Sequence, residues 1–200
     1  MPKRIIGVSS RLITAAKEEF LQKGFEGAVI KDIAAKADTS PRAIYTRFAN
    51  KEDLFCSIVN PVVEKFYSQF NSDKNEYWNG SVSIISSSVD YYIRYLEFAY
   101  EHRDEFVILL EKSKGTKFEH FTQTLADSDI RHAMNKTNEG VVELQNNPAA
   151  TELFIKQITY AFYDSLFMPV IRGDSIEVAK EYVTMMVEFY VSGLLKLVKI

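Results

Sequence analysis

Hydrophobic residues recur with the period of an α-helix along nearly the whole chain. In the first segment they stand at Val8, Leu12, Ala16 and Phe20, which is the spacing of one helical face. Gly24 follows, and we expect it to end this helix because glycine readily adopts positive φ. Similar stripes continue towards residue 200, and no segment reads convincingly as a strand. The pattern therefore predicts an all-α protein of about nine helices.

Two short helices are predicted between Ile30 and Phe48. The first covers residues 30–37, and the second begins at Ser40-Pro41, where a capping hydroxyl precedes a proline at the first helical position. Helices of about two turns are not stable alone, and the stripe on residues 8–20 supplies a helix to support them. Three small helices with a tight turn between the second and third form a helix-turn-helix. We therefore predict a helix-turn-helix domain over residues 1–50.

The third helix of this domain is expected to present polar side chains on its exposed side. Its buried face is predicted to be Ile44 and Phe48, which leaves donors suited to phosphates and bases on the other side. In a helix-turn-helix the N-terminal residues of this helix lie nearest the base edges. From the spacing alone, DNA reading and a merely solvated polar face are equally supported. The exposed candidates are Pro41, Arg42, Ala43, Tyr45, Thr46 and Arg47.

Residues 51–200 are predicted to form a second, helical domain. Asn50, with Asp53 three residues later, begins a long fourth helix, and the polar segment 71–80 is predicted to be a loop. Asn147-Pro148 repeats the cap-and-proline signal. The remaining helices are predicted over residues 81–101, 103–112, 116–145, 148–171 and 175–199.

Four short segments of the N-terminal domain stand in one order and spacing. They are Lys23-Gly24-Phe25-Glu26-Gly27, Lys31-Asp32-Ile33-Ala34, Ser40-Pro41-Arg42-Ala43-Ile44-Tyr45 and Phe48-Ala49-Asn50-Lys51-Glu52-Asp53-Leu54. The series resembles the tetracycline-repressor (TetR/AcrR) family of bacterial regulators over about residues 9–57. The resemblance implies a ligand-responsive repressor that binds a near-palindromic double-stranded operator as a homodimer. It also implies a C-terminal helical domain for ligand binding and dimerisation, here residues 51–200.

The resemblance assigns roles to individual residues of the N-terminal domain. Tyr45 stands where a tyrosine of the recognition helix contacts a phosphate. Lys51 stands at the start of the fourth helix, where an ammonium group and a helix N-terminus both favour a phosphate. The full set of implied DNA contacts is Ser40, Pro41, Arg42, Ala43, Tyr45, Thr46, Arg47 and Lys51.

Two positions depart from the family pattern. Val29 replaces a frequent threonine, which removes a helix cap and a phosphate donor. Asp38 replaces a glycine in the turn, and although Asp tolerates left-handed geometry, its carboxylate would face a polyanion. These departures favour one alternative, a helical interaction protein whose N-terminal domain does not bind DNA. A second alternative, an activator of the same fold, is excluded by no feature of the sequence.

Aromatic residues are crowded on the helices of the second domain. The resemblance implies a small-molecule pocket among helices four to eight, whose unknown effector would move the fourth helix and separate the two recognition helices of a dimer. An aromatic stripe at helical spacing is more often plain core, so each residue is only a candidate. The candidate ligand contacts are Tyr91, Tyr95, Phe98, Phe121, Tyr160 and Tyr163.

The last two predicted helices are apolar on more than one side. A helix that is hydrophobic nearly all round is buried on all sides, and at a two-fold axis two such helices from each subunit would form a four-helix bundle. The alternative is a thicker core within a monomer. The predicted dimer contacts are Phe162, Leu166, Phe189 and Leu194.

Charge and composition narrow the function classes. Residues 1–56 hold ten Lys and Arg against seven Asp and Glu, a charge of +3, and the rest carries −6, so a polyanion would bind the N-terminal domain. No apolar run suits a membrane span, no secretory signal is recognisable, and the single Cys56 suits a reducing cytoplasm. His102, His120 and His132 lie far apart, and no catalytic motif is found. We expect no enzyme activity, no cofactor, no metal and no membrane partner.

Overall fold

The computed structural model describes residues 6–77, 84–140, 143–144 and 146–199. Ten helices lie within these ranges: α1 (Ile6–Gly27), α2 (Ile30–Lys36), α3 (Pro41–Tyr45), α4 (Lys51–Tyr77), α5 (Ile84–Glu101), α6 (Arg103–Glu111), α7 (Phe121–Asn138), α8 (Pro148–Leu166), α9 (Met168–Arg172) and α10 (Ile176–Leu194). Strands β1 (Glu143–Leu144) and β2 (Val198–Lys199) form a two-residue antiparallel pairing, with Glu143 opposite Lys199 and Leu144 opposite Val198. The all-α fold predicted from the pattern is confirmed.

Local side-chain chemistry begins and ends several helices at the predicted residues. Ser40 and Asn147 each accept a hydrogen bond from the backbone amide three residues later. Asn50 does the same at 2.8 Å, and Asp53 accepts in return from the amide of residue 49 at 3.0 Å, which closes a reciprocal cap. Gly24 has a φ of 70° and interrupts the helical geometry of α1, as expected from its position.

Several predicted helix boundaries were wrong. Helix α4 continues to Tyr77, through most of the predicted loop 71–80, and α7 ends at Asn138 rather than near residue 145. Two further errors have a clear local cause. The helix predicted over 148–171 is split between α8 and α9, because Pro169 has no amide hydrogen to continue the ladder. The helix predicted from residue 116 begins only at Phe121, since Thr116 caps a turn instead, donating to the carbonyl of Ser113 at 2.7 Å. The last helix ends at Leu194 rather than near residue 199. Residues 78–83, part of a predicted loop and helix start, lie outside the described residues.

Unit 1 is the compact unit formed by residues 1–67 and 102–119. It contains α1, α2, α3, α6 and the part of α4 up to residue 67. The face of α1 predicted to be apolar packs on α2 and α6, around a core that includes Leu12, Phe20, Ile33, Ile44, Leu54, Phe55, Phe66 and Phe106. This unit is larger than residues 1–50, so that division stays a prediction about function.

Unit 2 is formed by residues 68–101 and 120–200. Its main helix pairs are α5 with α10 and α7 with α8. Large aromatic side chains fill much of the space between these helices, and the fully buried residues include Phe70, Leu96, Leu125, Tyr163, Leu166, Phe167, Val183 and Val187. Of the helices described, none is both long and apolar enough to cross a membrane.

Candidate nucleic-acid interface and internal cavity

A tight turn joins α2 to α3 in unit 1. Thr39 donates its amide to the carbonyl of Ala34 at 2.9 Å, which folds the chain back after α2. Asp38 has a φ of 51°, a left-handed conformation that is costly for most L-residues and is tolerated best by Gly, Asn and Asp. Asp therefore takes the geometry that glycine would otherwise supply, as the sequence indicated. Its exposed carboxylate lies 3.9 Å from the guanidinium of Arg11.

Helix α3 buries one side and exposes the other. Ile44 is only 1% exposed and anchors the helix, and Phe48 is half-buried. Tyr45 is 52% exposed although it is a large aromatic residue. Among the predicted contacts, Ala43 is half-buried, and the exposed ones are Ser40, Pro41, Arg42, Tyr45, Thr46 and Arg47.

The hydroxyl groups on this surface differ in what they can still donate. Thr46 donates its hydroxyl to the carbonyl of Ala43 at 2.8 Å, so that proton is already used. Ser40 accepts from the amide of Ala43 at 3.2 Å and keeps its own hydroxyl proton for an outside acceptor. With the guanidinium groups of Arg42 and Arg47, the surface combines positive charge with neutral donors, the set that phosphates and base edges require.

Val29 occupies the N-cap position of α2. Its backbone is extended, with φ −118° and ψ 124°, and no side chain caps the helix. The valine side chain is 48% exposed. The amide groups at the start of α2 therefore lack the hydroxyl partner that a threonine would provide at this position.

Lys51 joins the start of α4 to the end of α1. Its ammonium group donates to the carbonyls of Glu26 at 3.3 Å and Ala28 at 3.1 Å, and lies 4.6 Å from the ring centroid of Phe25. An ammonium group has three donors, so two are engaged within the protein. The predicted phosphate contact of Lys51 stays a prediction, and the structure gives this residue a packing role besides.

Glu19 is a buried charge that was not predicted from the sequence. Its carboxylate is 0% exposed and pairs with Lys23 at 2.6 Å and Lys36 at 2.7 Å, which ties α1 to α2. Burial alone would raise the pKa of this carboxyl, but the two ammonium groups bring the pKa below its usual value. The only signal in the sequence is that Glu19 lies beside the buried Ala16 and Phe20.

Unit 2 encloses a cavity of about 180 Å³. Three of the six predicted ligand contacts, Tyr91, Tyr95 and Tyr163, line it. The other three are not among its described lining residues. Phe121 is buried in the core, Phe98 is half-buried elsewhere, and Tyr160 donates its hydroxyl to Asp127. Helical spacing could not distinguish these groups because all six residues lie on faces that are at least partly apolar.

The polar groups of the cavity were missed from the sequence. They include Asp73, Ser88, Asp129, His132, Thr159 and Tyr190. Asp73 lies in a segment predicted to be a polar loop, yet it is 3% exposed within α4. Asp129 resembles the solvent-facing charges of its helix when only the sequence is read. No local signal marks either residue as part of a site.

The predicted dimer contacts fall into two groups. Phe162 and Leu166 are 4% and 0% exposed within the protomer, so they belong to its core and offer no surface to a partner. Leu194 is half-buried and lines the cavity, whereas Phe189 is 79% exposed. The prediction of Phe162 and Leu166 as dimer contacts is therefore wrong. Six large apolar side chains on α8, α9 and α10 do face outward: Leu153, Phe154, Met168, Val178, Met185 and Phe189.

No group of three or more His, Cys, Asp or Glu side chains suited to a metal ion is found in the part of the chain that the structure describes. Cys56 is buried in unit 1, and burial raises the pKa of its thiol. A buried thiol of this kind is a poor nucleophile because little thiolate forms.

Sequence comparison matches the N-terminal part of the chain to known proteins. Residues 12–58 match the family described as bacterial regulatory proteins, tetR family. The HTH-type transcriptional repressor NicS of Pseudomonas putida is 32% identical over 94 residues, which is 44% of this chain and 42% of NicS. The aligned part thus spans less than half of that relative.

Comparison of structures extends the likeness to nearly the whole chain. NalD of Pseudomonas aeruginosa, described as the secondary repressor of the MexAB-OprM multidrug efflux pump, has a TM-score of 0.63 at 18% identity, covering 93% of this chain and 96% of NalD. A TetR-like transcriptional regulator from a Rhodococcus species has a TM-score of 0.62 at 16% identity, covering 96% and 99%. At these identities the likeness establishes a shared fold.

Proposed function

We propose that this chain, whose residues 12–58 match the TetR family of bacterial regulatory proteins, is a cytoplasmic transcriptional repressor of that family. In this proposal it binds operator DNA as a homodimer and is controlled by a small ligand. The observation that carries the proposal is the exposed surface of Arg42 and Tyr45 on α3 and of Arg47 in the turn after it, next to the buried Ile44 that anchors the helix. Because Tyr45 is 52% exposed and both arginines are exposed, their donor groups are accessible to an outside phosphate or base.

The proposed contacts are of two kinds: contacts to bases, which determine sequence preference, and contacts to phosphates, which position the domain on the DNA. Arg42 lies in the first turn of α3, nearest the base edges in a docked helix-turn-helix, and a guanidinium is suited to bidentate contact with guanine. Tyr45 and Ser40 each keep a hydroxyl suited to a phosphate, which positions the domain without reading sequence. The net charge of +3 on residues 1–56 supports this orientation towards DNA.

Dimerisation is supported by the apolar side chains that α10 leaves exposed. Val178, Met185 and Phe189 are separated by seven and four residues, so they lie along one side of the helix. A second such stripe across a two-fold axis would remove them from water and form a four-helix bundle with α8. A two-fold dimer presents two copies of α3, so its operator should be nearly palindromic.

The DNA-binding proposal is tested by titrating the protein against the DNA upstream of its own gene. Replacing Arg42 by alanine should weaken operator binding by roughly 1–3 kcal/mol and relax the preference at particular base pairs. Lys65→Ala is the matched control, because it removes an exposed cation from α4 about 20 Å along the helix from Lys51. Equal affinities for wild type and Arg42→Ala, or equal losses in both variants, would contradict the proposed reading surface.

A helical interaction protein without DNA binding is the second candidate function. The uncapped Val29 and the exposed carboxylate of Asp38 favour it, since both weaken the side of the domain that would meet a phosphate backbone. This alternative predicts that no upstream fragment is shifted at low salt, where non-specific binding through phosphates is strongest. A sequence-dependent shift would exclude it.

A further inference from the structure

The wall of the cavity in unit 2 is both aromatic and acidic. Its described lining residues include two phenylalanines and five tyrosines, namely Phe70, Tyr91, Tyr92, Tyr95, Phe162, Tyr163 and Tyr190. Many of these rings are in contact, with centroids 4.7 Å apart for Tyr92 and Phe162 and 4.6 Å apart for Phe162 and Tyr190. Among the lining residues that the structure describes, the charged ones are the carboxylates Asp73 and Asp129, and none is a lysine or arginine.

Asp73 is a carboxylate only partly satisfied by its neighbours. It is 3% exposed, and its Oδ1 accepts from Gln69 at 2.8 Å and from Arg94 at 3.1 Å. Its Oδ2 is buried, and neither of these two hydrogen bonds reaches it, although the Tyr95 hydroxyl interacts with the same carboxylate. A buried carboxylate oxygen without a donor is costly, so a ligand donor or cation at this oxygen would be stabilised.

One cationic side chain of the protein, that of Arg94, already contacts the cavity residues Tyr91 and Asp73. The guanidinium carbon of Arg94 lies 4.7 Å from the ring centroid of Tyr91, while the same side chain reaches Asp73. Aromatic face and carboxylate thus act together on a positive charge here. Among the described residues around the cavity, the two carboxylates and this guanidinium sum to a formal charge of −1, with His132 counted as neutral.

The pKa values of three tyrosine hydroxyls are raised by the negative charges of Asp73 and Asp129 as well as by burial. Burial raises the pKa of Tyr95, and the charges of Asp73 and Asp129 raise it further. Burial and the charge of Asp129 also raise the pKa values of Tyr163 and Tyr190. The phenols therefore stay protonated, and Tyr163 donates its hydroxyl to Asp129. An anion placed among these groups would meet the same unfavourable field.

We propose that this cavity takes a small organic monocation, held by the aromatic rings and by the carboxylates of Asp73 and Asp129. The inference rests on the proposed function, because it names the class of effector for the same protein. A monocation balances the residual charge of −1, and its apolar groups pack on rings whose faces attract positive charge. A neutral ligand would leave the residual negative charge of the carboxylates unbalanced. A cavity of about 150 Å³ holds benzene, so 180 Å³ suits a ligand of about one ring.

Phenyltrimethylammonium and tert-butylbenzene test the inference as a matched pair. They have the same shape and differ by one positive charge, since carbon replaces nitrogen. Isothermal titration of the full chain should give at least tenfold tighter binding of the cation. Asp129→Asn should reduce this preference at least threefold, because Asn keeps an oxygen that accepts from Tyr163 but loses the charge. Asp90→Asn is the control: it removes an equally charged, exposed residue of α5 outside the cavity lining.

Equal or tighter binding of tert-butylbenzene, or no binding of phenyltrimethylammonium at millimolar concentration, would overturn the inference. An unchanged preference in Asp129→Asn with a normal melting temperature would overturn it too, and if that variant fails to fold, Asp73→Asn replaces it. A separate operator titration with the bound cation distinguishes the two proposals. Cation binding that leaves operator affinity unchanged supports the ligand class and contradicts effector control. Operator release by tert-butylbenzene alone supports effector control and contradicts the ligand class.

Discussion

Replacing Phe189 by glutamate tests the proposed dimer with little disturbance of the protomer. The side chain is 79% exposed on α10, so a glutamate there stays solvated in a monomer. Leu194 is less suitable because it lines the cavity, and a charge there would affect ligand binding and association together.

The magnitude follows from the area that each phenylalanine exposes. A phenylalanine side chain presents roughly 200 Å², so about 160 Å² per protomer would leave water if the dimer covered it fully. At about 25 cal/mol per Å² this burial contributes about 4 kcal/mol per protomer, as an upper bound. Losing even half of the total for two protomers raises the dimer dissociation constant about a thousandfold, before any cost of burying a carboxylate.

Sedimentation velocity at micromolar concentrations measures this change directly. Wild type should sediment as a dimer and Phe189→Glu as a monomer with a nearly unchanged circular dichroism spectrum. Operator affinity should fall with dimerisation, because two copies of α3 no longer act together. Gln123→Glu, which adds the same charge at an exposed position of α7, should stay dimeric. A monomeric wild type, or a Phe189→Glu variant that remains a dimer, would refute the proposed interface.

Two further predictions concern the helix-turn-helix. Val29→Thr should supply the missing cap of α2, raising the free energy of unfolding by about 1 kcal/mol and the melting temperature by about 2–4 °C. Val29→Ala supplies no cap and should not raise either quantity. Equal effects of the two substitutions would contradict the capping argument. Glu19→Gln should cost about 1–2 kcal/mol at pH 7, since it weakens the charge-assisted hydrogen bond from Lys36 and removes the ion pair with Lys23. Because the pKa of Glu19 is lowered on folding, its stabilisation is present above the usual value near 4.5 and is lost as pH falls through the folded value. The difference between the two proteins in chemical denaturation should therefore shrink as pH falls below 4.5, and a difference that stays constant on acidification would count against the argument.

The order of the helices and several of their ends could be predicted from local pattern. Ser40, Asn50 and Asn147 cap helices through amides only three residues away, and Gly24 interrupts α1 through its own backbone conformation. Errors occurred where two local signals competed. A helix is predicted from residue 116, but the hydroxyl of Thr116 closes a turn onto Ser113 instead.

The exposed side of α3 could also be predicted, because the apolar Ile44 sets which side of so short a helix is buried. The polar side of the cavity could not be predicted from the sequence. Asp73 and Asp129 look like surface charges, and their positions depend on which helices pack around them. The same holds for Glu19, whose partner Lys36 lies on the next helix.

The sequence alone determined the helices, their caps and the helix-turn-helix, since hydrogen bonds and stripes of this kind join residues within about four positions of one another. The tertiary structure decided which apolar and charged side chains are inside. Phe162 and Phe189 are alike as residues of apolar helices, yet one is 4% and the other 79% exposed. That difference arises because burial depends on neighbours far away in the sequence, such as Tyr92 of α5 against Phe162 of α8, and no local pattern contains them.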